Sequence, residues 1–342
     1  MKKLCTLFAF VILLSQAAQA IETYKVCWSR YTGWEPWGYA EYSGILAKHA
    51  KKHGIAIKLT YIDSYDASLS LYTSGVYQAC TMTNMDALTA PASGGVDSTA
   101  VIVGDFSNGN DTITSKSVKK VTDLKGKNVI LVEQSVSHYL LSRALSINGM
   151  TEKDLGKVIN SSDAVIESNY ITSKNVDSVV TWNPMAMNIA KQPKVTVVFD
   201  SSKIPGEIID LMVVRTDSPD SLKKALAGAW FETMKVLATG DKKVISFLAK
   251  QAGGSLTDFQ DQLKTTAIFY TADKATKFSK SKSVKNTMKY VRDFSFNKGI
   301  LGGNNIDAIG IQFPDGTVLG DKSNVKLRFD SSYMEWASTQ KL

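Results

Sequence analysis

The run Cys80-Thr81-Met82-Thr83-Asn84-Met85-Asp86-Ala87-Leu88 places an amide and an acid where an apparent strand ends and a helix opens. In open α/β sheets ligands sit in the crevice beyond the carboxyl ends of the strands, so a Thr/Asn/Asp run there reads as one wall of a small-molecule site. A matching wall is predicted at Glu133-Gln134-Ser135 and at Thr181-Trp182-Asn183-Pro184. Each residue also has an ordinary structural role. An acid in a first helical turn, as Asp86 is, is favoured by capping and the helix dipole. Glu133 can cap a helix or pair with a cation, and Trp182 can pack between elements ahead of Pro184 in a first turn. Signals for catalysis are sparse. His49 and His53 stand four apart on a predicted helix, but no acid completes an H-E-x-x-H pattern and Lys48, Lys51 and Lys52 surround them, which reads as a solvated face. His138 falls one turn into a helix beside Tyr139, a position for capping or ligand proximity. There is no G-x-S-x-G elbow, no phosphate loop and no zinc-type cysteine spacing. The expectation is a chain that binds without catalysing, with no cofactor and no metal.

An alternation of strands and helices must hold these groups. Tyr24 to Ser29 reads as a strand, Tyr39 to His53 as a helix closed by Gly54, and Ile57 to Ile62 as an alternating strand. Asp66 to Ser74 is a predicted helix, Gln78 to Thr83 a strand, Asn84 to Ala92 a helix and Thr99 to Gly104 a strand. After a loop from Asp105 to Asp111 the pattern restarts at Ile113-Thr114, followed by a strand at Asn128 to Val132 and a helix from Ser137 to Asn148. Asp177 to Thr181 and Val195 to Phe199 are further short strands, Ile208 to Val214 is an extended return, and Pro219 to about Lys289 is helical. A chain this long exceeds one hydrophobic core. The order predicts an α/β, two-lobed clamshell, each lobe a mostly parallel sheet flanked by helices, with two interlobe crossings that allow hinge closure. Residues 21–107 plus 208–342 form the discontinuous first lobe and residues 108–207 the second.

Met1-Lys2-Lys3, the apolar run Leu4 to Leu14 and Ala18-Gln19-Ala20 have the form of a secretory signal peptide cleaved after Ala20. The apolar run is too short to span a bilayer. A periplasmic location follows. Without Lys2 and Lys3, 38 of the 40 basic residues remain against 32 acids, a net charge of +6. The lysines are scattered instead of clustered with aromatics, which argues against nucleic acid as a partner. Cys27 and Cys80 remain in a compartment that permits disulfides, but both fall in predicted strands, and pairing across adjacent parallel strands strains disulfide geometry. Two buried free thiols are expected.

The runs Trp34-Glu35-Pro36-Trp37-Gly38-Tyr39, Thr81 to Leu88, Gly94 to Thr99, Val132 to Tyr139 and Val180 to Pro184 carry a resemblance that spans the chain after the signal segment. It resembles the periplasmic substrate-binding proteins of ABC transporters of the nitrate/sulfonate/taurine type. Within them it is similar to a subgroup of urea transporter binding proteins associated with the urea carboxylase region, whose carboxylases are often assigned to guanidine. The resemblance implies a monomer that captures a small solute between its lobes and passes it to a membrane permease with its ATPase. It also admits a binder of another small solute, a sulfonate or taurine or a thiamine-pyrimidine-like compound, an enzyme of related fold, as in thiamine-pyrimidine synthesis, or a ligand sensor.

Charge narrows the cargo. Asp86, Glu133 and Asp210 are acidic, and the predicted walls contain no Arg or Lys. A site for sulfonate, nitrate or phosphate needs cations or free helix N-termini. Acids beside Trp34, Trp37 and Trp182 suit a planar cation that stacks on rings and donates to carboxylates. Guanidinium fits, and neutral urea is the competitor because Asn84, Asn183 and hydroxyls such as that of Ser135 offer both donors and acceptors. At about −1.5 kcal/mol per heavy atom, so small a ligand reaches roughly −6 kcal/mol, a dissociation constant near tens of micromolar.

Overall fold

Thirteen strands in the computed structural model, which describes residues 21–341, assemble into two sheets. The expected signal segment lies outside the described residues. In chain order the strands are β1 (Thr23–Trp28), β2 (Ala56–Tyr61), β3 (Ala79–Thr83), β4 (Ser98–Phe106), β5 (Asp111–Ser115), β6 (Asn128–Leu131) and β7 (Lys157–Asn160). They continue with β8 (Ser178–Trp182), β9 (Thr196–Asp200), β10 (Ile209–Arg215), β11 (Gly310–Gln312), β12 (Val318–Leu319) and β13 (Val325–Phe329). The larger sheet has eight strands in the order β12-β11-β13-β4-β10-β3-β1-β2, and the smaller has five in the order β7-β6-β8-β5-β9. Strands β3, β4 and β10 are covered on both faces and so read as near-continuous apolar runs. The chain crosses from β4 to β5 and returns from β9 to β10. The crossings are tied together, with Ser107 N donating to Ile208 O at 2.9 Å and the hydroxyls of Ser107 and Ser201 2.7 Å apart.

Several expectations are corrected. The helix expected from Tyr39 to His53 is two, Pro36–Tyr42 and Ile45–Lys52. They part at Gly44, whose φ of 78° lies in the left-handed region open to glycine. The helix expected from Asn84 to Ala92 is a short α segment, Asn84–Ala87, followed by a π turn, Leu88–Ala92, containing Pro91. The expected loop from Asp105 to Asp111 is shorter, because β4 runs on to Phe106 and β5 begins at Asp111. Strands β7 and β11 to β13 escape the sequence reading; of these β7, β11 and β12 have only four, three and two residues. His49 is buried, its Nε2 2.7 Å from Glu232 Oε2 on helix Asp220–Leu237, and is not on a solvated face.

The expectation of free thiols is also overturned, since Cys27 and Cys80 form a disulfide with Cα atoms 4.5 Å apart. Strands β1 and β3 are hydrogen-bonded neighbours with these two residues in register, which brings the Cα atoms into disulfide range.

Candidate ligand-binding site

Strand ends from both sheets converge on one small cavity. It is lined by Tyr31, Trp34, Tyr65 and Thr83 from the larger sheet's side and by Asp111, Val136 and Trp182 from the smaller, with Ile208 and Asp210 at the return crossing. Tyr31 and Trp34 lie in the loop after β1, their rings 5.1 Å apart. Tyr65 opens helix Tyr65–Thr73, and its ring stands 5.3 Å from Trp34 and 5.9 Å from Trp182. Aromatic faces from both sides therefore meet at Tyr65. The cavity holds about 20 Å³, far below the roughly 300–1,000 Å³ of drug-sized sites.

The polar lining is acidic. Asp210 stands opposite Asp105 across β10 and β4 and opposite Thr83 across β10 and β3. The Asp105 and Asp210 carboxyls act directly on each other, and Tyr31 Oη donates to Asp105 Oδ1 at 3.0 Å. Burial pushes both acids up; the Asp105 charge raises Asp210 further, whereas Asp210 and Tyr31 pull Asp105 back down. Burial raises Asp111 to about 7, against the pull of its hydrogen bond from Ser107. No Lys, Arg or His among the described residues lines the cavity.

The residues expected from sequence divide into three groups. Trp34, Trp182 and Asp210 line the cavity. Asp86, Glu133 and Ser135 line a separate open groove of about 530 Å³, shared with Asp66 and Thr89. Asp86 is buried, raised to about 6 by desolvation, and accepts from the Tyr65 and Thr83 hydroxyls at 2.8 Å each, so it supports two cavity residues from behind. Glu133 is exposed, and Ser135 caps helix Val136–Ile147. The third group reaches neither space. Trp37 stacks on Trp230, ring centroids 5.0 Å apart. Asn84 clips the return crossing, accepting from Ile209 N at 2.9 Å and donating to Glu207 O at 3.2 Å. Asn183 receives its helix by accepting from Met187 N at 3.0 Å. The two walls expected from sequence thus do not form one lining. Tyr31, Tyr65, Asp105 and Asp111 were missed; the two acids carried a signal that was read as a loop.

Contacts across the cleft hold it shut. Asp163, from the smaller sheet's side, accepts from Ser64 Oγ at 3.1 Å and Tyr65 N at 2.7 Å, satisfying the first turn of the helix that carries Tyr65. Trp182 Nε1 donates to Arg30 O at 3.3 Å, and Lys191 pairs with Asp258 at 2.5 Å.

The family described as ABC transporter, phosphonate, periplasmic substrate-binding protein matches residues 39–258, well over half of the chain. The chain belongs to that family. Members are periplasmic proteins that take a small-molecule ligand and deliver it to a transporter's permease and ATPase. The two-lobed fold of this binding protein is shared with the periplasmic aliphatic sulphonate binding protein SsuA from Escherichia coli, at TM-score 0.68 and 18% identity over 82% of this chain and 94% of that one. SsuA from Xanthomonas axonopodis pv. citri, bound to MOPS, matches at TM-score 0.67 and 16% identity over 83% of this chain and 96% of that one. The periplasmic nitrate-binding protein NrtA from Synechocystis PCC 6803 matches at TM-score 0.55 and 12% identity, over 94% and 99% of the two chains. A search of curated protein sequences finds no match.

Proposed function

We propose that this binding protein captures a small, planar, nitrogen-rich cation, guanidinium or a close relative, in the interlobe cavity. The supporting observation is a lining of Asp111 and Asp210 among aromatic rings, with no basic residue on it. Charge-assisted hydrogen bonds to carboxylates and stacking on indole and phenol faces favour such a cation and disfavour the oxyanions named for the family and for its structural neighbours. The small cavity suits a ligand of a few heavy atoms. On this reading residues 21–107 with 208–342 and residues 108–207 are the two closing lobes, residues 1–20 direct export, and the monomer performs no chemistry.

One observation favours neutral urea as a second reading. The buried Trp34 Nε1, on a ring that lines the cavity, has no hydrogen-bond partner among the described residues, and a carbonyl oxygen would accept from it. The deciding experiment is a calorimetric and thermal-shift titration of residues 21–342 with guanidinium, methylguanidine, urea and taurine, with matched sodium salts as controls. Saturable stabilisation by sub-millimolar guanidinium, reduced at least tenfold in Asp210→Asn, is the expected result. A response to taurine or urea alone refutes the cationic reading.

A further inference from the structure

We propose that the Asp105–Asp210 carboxyl pair holds a proton in the empty site and releases it as the cation enters, so that this site takes its ligand in exchange for a proton. The inference rests on the cationic reading above. Its basis is geometric. The two residues face each other on β4 and β10, both are buried, and each leaves its Oδ2 without a hydrogen-bond partner among the described residues. Two carboxyls buried side by side without a cation do not both ionise, so one of them keeps a proton. Tyr31 Oη occupies Asp105 Oδ1, and no other donor among the described residues reaches Oδ2 of Asp105 or of Asp210. On the loop side Asp105 is closed off, since a Cβ at Gly33 would lie 2.2 Å from its Oδ2. The pair therefore opens toward the cavity through Asp210.

The titratable groups acting on the pair are Tyr31 from the loop after β1, Asp111 from β5, and Tyr270 from the segment after helix Leu256–Lys264. All are neutral or acidic, so nothing on the protein balances a second negative charge there. A guanidinium beside Asp210 supplies that balance. The shared proton leaves to solvent, the ligand stays cationic, and the Asp210 carboxylate then accepts its N–H donors while Asp105 keeps the Tyr31 hydroxyl. Asp105 acts through Asp210 and is a positioning residue for the ligand.

The test is calorimetric titration of residues 21–342 with guanidinium chloride near pH 6 in two buffers of different ionisation enthalpy, with the dissociation constant followed from pH 5 to 8. At least one proton released per cation is expected, with binding tightening by about tenfold per pH unit for each proton released below the pair's titration. Asp105→Asn, whose amide can still donate to Asp210, is expected to bind guanidinium with about one proton fewer released, any remainder coming from Asp111. Proton release undiminished in Asp105→Asn assigns the proton to another group and overturns the proposal. So does guanidinium binding by the unaltered chain with buffer-independent heat and a flat pH profile, which leaves the cationic reading standing. Absence of guanidinium binding at every pH overturns both. The buffer series on the unaltered chain decides the matter if Asp105→Asn does not fold.

Discussion

A carboxyl buried without a cation is cheaper to keep protonated than charged, and Asp111 is the clearest case in this chain. Burial pushes it up to about 7, against about 3.9 in an unfolded chain. The folded state therefore binds more protons than the unfolded one across that interval. Stability from this group is complete below about pH 4 and is lost as the pH rises toward 7. Asp111→Asn is expected to raise the melting temperature of the ligand-free protein by several degrees at pH 8 and to change it little at about pH 4, as read by calorimetry. Glu152 has the opposite sign: despite burial, His138 and Lys298 hold it down to about 2, so its contribution is lost only in strong acid. At this scale sequence reading named Asp210 and the indoles of Trp34 and Trp182. It missed Tyr31 and Tyr65, because nothing in a lone tyrosine's neighbours along the chain says which cavity it faces.

Elements show where local signals hold and where packing overrides them. Strands β1 to β4 follow the alternation of apolar and turn residues, and their boundaries are legible to within a few residues. Asp105 and Asp111 read as loop because an acid at the end of a buried strand breaks the apolar pattern. Its compensation, a proton shared across the ladder or a hydroxyl from the crossing, is invisible along the chain. The cysteines were misjudged for a related reason. Whether Cys27 and Cys80 can pair depends on register, which the chain between them does not reveal. Closing a loop with a sequence separation of 53 residues is worth about 4 kcal/mol in the chain-entropy view. Reduction is therefore expected to lower the melting temperature of residues 21–342 by several degrees, and thiol titration of the unreduced, denatured protein to find neither cysteine reactive.

On the proposed function the molecule as a whole works through closure, and Asp163 is the contact that would tie closure to the cavity. It reaches across the cleft to the helix whose first residue is Tyr65, so the helix carrying the ring between Trp34 and Trp182 is tied to the opposite side at its first turn. Asp163→Ala is expected to weaken guanidinium binding about five- to tenfold through faster dissociation, with little change in association, measured by stopped-flow tryptophan fluorescence. Unchanged dissociation would separate this contact from ligand retention. The outer groove with Asp86 and Glu133 lies beyond the closed cavity, which explains why residues grouped by sequence as one wall sit in two spaces.

Sequence by itself determined the alternation of strands and helices, the double crossing between lobes, and the acidic and aromatic character of the residues near the strand ends. Those are local or compositional properties, written in periodicity and residue type. Only the tertiary structure decided which acids meet: β10 and β5 bring Asp210 and Asp111 to one cavity from positions far apart in the chain, with Asp105 on β4 beside Asp210. It also set Asp86 behind Tyr65 and buried Trp37 on Trp230. The physical reason is that register and interlobe packing select neighbours, and a chain read in one dimension carries the chemistry of a side chain without its partners.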